Sequence, residues 1–173
     1  LDMSSKFNIV EKNNNDIYIN LPNKDKNGNL ILEKIKVENN EDFNIGYLDY
    51  TKHNVIKQAF KYYHTPYGWG GLYNGIDCSG FISNVYSVFG FNMPRNSNQL
   101  QALAGKYITI PENISESKRN EILDRAKIGN LLYMKGHIMI YLGKYNGNYY
   151  AIHSLSSTYE NKKKIKVMNT VIT

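Results

Sequence analysis

The chain has 173 residues, a formal net charge of +6, 42% hydrophobic and 21% charged residues. That length carries one domain with its own core, or one plus part of another, and no apolar run approaches the roughly 18 residues of a membrane span. A single cysteine, Cys78, excludes disulfide staples and zinc sites built on several thiolates.

The positive charge suits either an anionic polymer or a merely solvated surface. Its densest run, Lys162, Lys163, Lys164 and Lys166, carries no interleaved aromatics, so no nucleic-acid partner is expected. The chain opens at Leu1 rather than methionine, and an upstream part is expected to precede it.

In residues 1–45, Ile17 to Leu21 and Leu30 to Val37 read as strands joined by a turn at Asn27-Gly28. Asn23, Asp25, Asn27 and Gly28 also fall at calcium-loop positions. Lys34 stands where the bidentate glutamate is needed, however, and the flanks read as strands, which favours a plain polar turn. Residues 1–48 are expected to form part of a small β-barrel module or a linking hairpin, and residues 49–173 a second, larger domain.

From Thr51, a suitable N-cap, Val55, Ile56, Ala59, Phe60 and Tyr63 recur at helical spacing until Pro66. A glycine-dense loop, residues 67–71, follows. Cys78 opens a second helix through Phe81, Ile82, Val85, Tyr86 and Phe89, stopping at Gly90. A third helix is expected from an Asn113–Glu116 capping box to about Ala126. Leu131 to Lys135, His137 to Gly143, Asn148 to Leu155 and Ile165 to Ile172 read as strands. Helices first and antiparallel strands afterwards make an α+β fold, with N-terminal helices packed on an antiparallel β-sheet.

Cys78 stands where a thiol gains reactivity. Unpaired N–H groups and the helix dipole at a helix start favour thiolate and can hold an oxyanion. Its base must come from four histidines. His53 and His64 belong to the first helix or its end and read as surface residues. His137 and His153 lie on consecutive strands. A two-residue turn at Asn146-Gly147 would set Ile140 opposite His153 and send the two histidines to opposite faces. A three-residue loop, Tyr145-Asn146-Gly147, would set Met139 opposite His153 and give His137 the same face. The apolar pattern prefers the second register, because it gathers Ile138, Ile140, Leu142, Tyr150 and Ile152 on one face. A cysteine at a helix start with two histidines on a shared face is the arrangement of a cysteine nucleophile, its base and an orienting partner.

These residues resemble the NlpC-type cell-wall peptidases, papain-like enzymes. The resemblance rests on Tyr67 to Gly71 (YGWGG), Asp77 to Phe81 (DCSGF), Pro94 to Ser97 (PRNS), Gly136 to Gly143 (GHIMIYLG) and Ile152-His153, in the family's order. It implies a papain-like fold, Cys78 as nucleophile, His137 as general base and His153 as its orienter. It further implies cleavage of the bond between γ-linked D-glutamate and the next diamino acid of peptidoglycan stem peptides. Tyr67, Trp69, Asp77, Ser79, Arg95 and Ser97 would line the substrate. Tyr67 would lie near the oxyanion, Asp77 would suit a free stem-peptide amine, and Ser79 and Ser97 would suit the D-glutamate carboxylate. Asp77 reads equally as a carboxylate offsetting the helix dipole.

The N-terminal segment resembles the end of a bacterial Src-homology-like barrel, which in relatives helps select a free N-terminal L-alanine. Departures from the family pattern are Asn96 in place of a frequent aspartate, Ile128-Gly129-Asn130 in place of Pro-Gly-Asp, and a long insert from Lys106 to Lys127. No metal and no cofactor are expected, nor membrane insertion. Stem peptides or muropeptides are the expected partners of a monomer acting outside the cytoplasm, with fragment recycling inside the cell as the other setting. The rivals are another papain-like amidase of the wall and an inactive wall-binding module.

Overall fold

The computed structural model describes residues 3–13, 16–38, 42–102 and 106–173. The chain divides into two compact units, Leu1–Leu48 and Asp49–Thr173.

The first unit is a three-stranded antiparallel sheet in the order β1 (Ile9–Asn13), β2 (Asp16–Lys24), β3 (Leu30–Val37). β1 adds a strand to the expected pair. Ile17 faces Val37 and Ile19 faces Ile35, so alternation gathers the branched apolar side chains on one face. At the β2–β3 turn, the Asp25 carboxylate accepts from the Asn27 and Asn29 backbone N–H groups and from the Asn29 amide. That local use of the carboxylate is a self-closed polar turn.

The second unit begins with α1 (Lys52–Phe60), capped by the Thr51 hydroxyl accepting from Asn54 N–H at 3.1 Å. After a 3-10 segment, Trp69–Asn74, comes α2 (Cys78–Ser87), then α3 (Ser97–Ala102) and α4 (Glu116–Arg125). The helix expected from Asn113 starts later. Ser115 is the cap, its side chain accepting from Lys118 N–H, while Pro111 to Ile114 close a turn of their own.

A four-stranded antiparallel sheet completes the unit in the order β4 (Leu131–Met134), β5 (His137–Tyr145), β6 (Asn148–Glu160), β7 (Lys163–Ile172). The fold is therefore α+β, as expected. β6 and β7 run on to a tight turn at Asn161-Lys162, both left-handed, longer than their polar outer residues suggest. Phe81, Ile82 and Val85 of α2 are fully buried together with Ile138, Ile140 and Ile152 of the sheet. Apolar surface buried in this way stabilises the unit by about 25 cal/mol per Å². No helix among the described residues is long and apolar enough to cross a membrane.

The β5–β6 connection corrects the expected loop. Tyr145 pairs with Asn148, so the turn has two residues, Asn146 and Gly147, at φ 48° and 82°. Two positive φ values match the right-handed twist of the flanking strands. The one-residue offset comes instead from a bulge between Tyr141 and Gly143, where Gly143 takes φ 113°. Past the bulge Ile140 pairs with Ile152, and Met139 stands across from His153. The expected pairing is reached by a different device. The opposite face is also covered rather than open. Tyr141, Ala151 and His153 are buried, and the Tyr141 hydroxyl donates to Leu123 O on α4.

Candidate active site

Cys78 is the first residue of α2, and Asp77 is its N-cap. Two hydrogen bonds hold this helix start in place. Ile76 O accepts from the Ser154 hydroxyl at 2.5 Å, and Ile76 N–H donates to Pro66 O at 2.9 Å. Ser154 follows His153, so the second histidine strand is tied to the segment that carries the thiol.

His137 Nε2 lies 2.6 Å from His153 Nδ1, with the rings tilted 60° at 4.9 Å between centroids. His153 Nε2 lies 3.0 Å from Thr173 Oγ1. Nothing in the sequence marks Thr173 for this contact. Burial keeps both imidazoles from charging: it lowers His137, and with the neighbouring His137 charge it lowers His153 to about 4.

The Cys78 thiol differs from expectation. Burial pushes it above its ordinary value, and Asp77 adds to that, while the N–H groups of Ile138, Ser79 and Cys78 pull the other way. Desolvation of a half-buried sulfur outweighs the helix-start donors. Burial thus favours the uncharged form of the thiol and of both imidazoles.

Tyr67 sits on the same rim. Burial is the largest influence raising its hydroxyl, the charges of Cys78 and Asp77 push the same way, and Arg95 and Ser156 pull against them. Its N–H donates to Met168 O at 2.7 Å, so the tyrosine is docked against β7. Trp69 is 75% exposed at the start of the 3-10 segment, beside Leu72 and Tyr73, which are exposed as well.

Asp77 and Ser79 sit differently from what contact with substrate would require. Both are buried. Asp77 Oδ1 accepts from Gly80 N–H at 2.7 Å and Oδ2 from Gly70 N–H at 2.8 Å. Arg95 forks onto both oxygens at 2.9 and 2.6 Å, and also donates to the Ser79 hydroxyl at 3.0 Å. Burial works to raise the Asp77 carboxyl, but Arg95 and the two N–H groups together hold it below the usual carboxylate range. The carboxylate is saturated by its own chain, which corrects the expectation of a free-amine contact in favour of the helix-cap reading. Ser79 is likewise enclosed by Asp77 and Arg95 rather than open to a carboxylate. Arg95 keeps about half of its side chain exposed. Ser97 is the first residue of α3, part-buried.

The insert that sequence left without a role packs beside the sheet. Asp124 of α4 accepts from Lys144 and from the Tyr149 hydroxyl at 2.8 Å each, and so braces the β5–β6 hairpin that carries the histidines.

Known proteins resemble this chain. The chain is 36% identical over 94 residues to a dipeptidyl-peptidase 6 of Lysinibacillus sphaericus, covering 54% of this chain and 30% of that protein. It is 32% identical over 102 residues to a gamma-D-glutamyl-L-lysine dipeptidyl-peptidase of Bacillus subtilis, with the same coverage. The chain thus spans about a third of the length of these relatives. Its fold matches an NlpC/P60 endopeptidase from Photobacterium damselae at a TM-score of 0.67 and 27% identity, over 94% of this chain and 39% of that one. A Bacillus cereus NlpC/P60 protein gives 0.56 at 18% identity. The sequence pattern of the NlpC/P60 family matches residues 64–170, which take in the Cys78 helix and both histidine strands, and the chain belongs to that family.

Proposed function

We propose that this chain is a cysteine peptidase that hydrolyses the bond between γ-linked D-glutamate and the following diamino acid of peptidoglycan stem peptides. The observation that carries the reading is the ring-to-ring contact of His137 and His153 at 2.6 Å on two strands that pack against α2, whose first residue is Cys78. The names of the relatives, a dipeptidyl-peptidase and a gamma-D-glutamyl-L-lysine dipeptidyl-peptidase, support the substrate class.

The neutral set assigns the protons. With His153 Nε2–H donating to Thr173 Oγ1, His153 Nδ1 accepts from His137 Nε2–H. His137 Nδ1 is then bare and can take a proton. The Cys78 thiol gives its proton to His137 as sulfur bonds to the D-glutamyl carbonyl carbon. The backbone N–H groups at the start of α2 meet the oxyanion, with the Tyr67 hydroxyl at its edge. The C–N bond breaks as His137 returns the proton to the leaving amine. Water, deprotonated by His137, then opens the thioester and frees Cys78.

Trp69 and Arg95 keep exposed side chains that can meet the substrate, and Ser97 starts α3 two residues after Arg95. A wall substrate implies action outside the cytoplasm by a monomer, with residues 1–48 as an accessory β module.

The test is mass spectrometry of defined stem peptides, with and without a free N-terminal L-alanine, incubated with the chain and with Cys78→Ala. Cleavage after D-glutamate by the native chain alone supports the reading. Cleavage at another bond assigns a different wall amidase. Intact peptides alongside a readily alkylated Cys78 reject this substrate.

A further inference from the structure

We propose that Arg95 is a positioning residue, whose guanidinium locks the Asp77 carboxylate as the cap of the nucleophile helix and cancels its charge beside Cys78. The inference deepens the proposed function, since it concerns the same thiol.

One carboxylate joins three separate segments. Through Gly80 N–H it caps α2, through Gly70 N–H it holds the Trp69–Asn74 loop, and through the two-pronged Arg95 contact it holds the Pro94–Ser97 segment. The bidentate fork fixes orientation as well as distance, which a lysine point charge does not. Packing leaves little slack, because a Cβ at Gly80 would stand 3.1 Å from Asp77 Oδ1 and 3.7 Å from the Arg95 guanidinium carbon. Arg95 also pins the Ser79 hydroxyl, whose residue follows the nucleophile.

Electrostatics follows from the same contacts. A buried carboxylate one residue from the sulfur opposes thiolate formation, and a cation on that carboxylate removes the opposition. The charged groups that act on the sulfur are Asp77, Arg95 and, from the loop side, Tyr67, while His137, backed by His153, lies on a strand that packs on α2. Of these, Arg95 is the one permanent cation. It is placed to act through Asp77, and needs no contact with substrate to do so.

The experiment is the pH profile of Cys78 alkylation by iodoacetamide in the native chain, Arg95→Gln, Arg95→Lys and Asp77→Asn/Arg95→Gln. Folding of each is checked by circular dichroism. Arg95→Gln is expected to move the profile to higher pH and slow alkylation at pH 8 by about threefold to tenfold, the effect of one uncancelled nearby charge. Arg95→Lys should shift it in the same direction by less. The double variant, which lacks both charges and keeps an asparagine cap, should return toward the native profile. A merely structural Arg95 would lower thermal stability without moving the profile. An unmoved profile in either folded single variant, or a double variant no closer to native than Arg95→Gln, overturns the assignment. Alkylation needs no peptide, so absent cleavage would defeat the substrate reading while leaving this one standing.

Discussion

His137 and His153 are coupled ring to ring, Nε2 to Nδ1 at 2.6 Å, and the far nitrogen of His153 rests on Thr173 Oγ1. His153 is 5% exposed, so its role is confined to its two partners. A base that transfers protons and a group that aims it should respond differently to removal. His137→Ala is expected to reduce kcat on the stem peptide by roughly 10²–10⁴-fold. His153→Ala should cost less, and His153→Asn, which can still accept from His137, less again. Steady-state kinetics on the peptide checks the order. Equal losses for both alanine variants would give His153 a share in the proton transfer itself.

That coupling depends on the bulge at Leu142–Gly143. Gly143 holds φ 113°, and a Cβ there would stand 3.3 Å from Ile128. Gly143→Val should therefore press β5 toward regular pairing, which sets Ile140 opposite His153 and parts the two rings. A destabilisation on the order of 1–3 kcal/mol is expected from the strained position, with activity falling further than stability alone accounts for. Deleting Leu142 removes the extra residue and leaves the pairs on either side in register. The deletion is expected to retain more activity than Gly143→Val. Kinetics and thermal melts of the two variants check this. The reverse order would show that the bulge does not set the histidine register.

Much of the site was legible because it is local. A cap at Thr51, a glycine loop before Cys78 and a helix through Phe81, Ile82 and Val85 each follow from spacing within one turn or two. The face shared by His137 and His153 was also legible, since burying Ile138, Ile140 and Ile152 demands that pairing. The device behind it was misplaced, as Gly147 looked like the bulge residue. A glycine inside an apolar strand, Gly143, was the better signal. Arg95 was read as a substrate contact and Asp77 as either a substrate contact or a carboxylate offsetting the helix dipole, each without the other. Their pairing spans eighteen residues, with the whole of α2 between them, and no periodicity announces it. The upward push on Cys78 was illegible for the same reason: helix starts can be read from sequence, but the burial of a sulfur under a distant strand cannot.

The histidines also set an acid limit. The native state keeps His153 neutral down to about 4, whereas an unfolded chain takes up that proton near the ordinary 6.5. Between those values the unfolded state binds more protons, so stability rises with pH across the window and is lost as pH falls from 6.5 toward 4. His137, lowered by burial, adds in the same direction. The Asp77 contribution, from a lowered carboxyl, is lost only further down, below the ordinary carboxylate value. Melting temperatures from pH 7 to 4 should fall, and should fall less steeply in His153→Asn. Parallel slopes would mean that His153 charges freely in the native state.

The loop before Cys78 gives a last expectation, in which two neighbouring substitutions should part company. Gly75 adopts φ −93° and ψ 176°, a conformation open to any residue, so backbone freedom is not why it is glycine. A Cβ there would stand 2.6 Å from Gly68 N, and 2.8 Å from both Gly68 Cα and Pro66 O. These are backbone atoms of the strand-like contact that pairs Tyr67 with Ile76, and they cannot rotate aside. Gly75→Ala is therefore expected to destabilise by about 1–3 kcal/mol through overpacking, and to lower kcat by shifting Tyr67 and the Gly70–Asp77 bond. Trp69, six residues earlier, is 75% exposed. Trp69→Ala should leave stability within about 0.5 kcal/mol of native and appear instead as a raised KM for the stem peptide. Denaturant melts and KM values for the pair check both halves. A harmless Gly75→Ala would mean that the chain does not close so tightly at Gly68, and with it would go the account of how the glycine loop seats the start of α2.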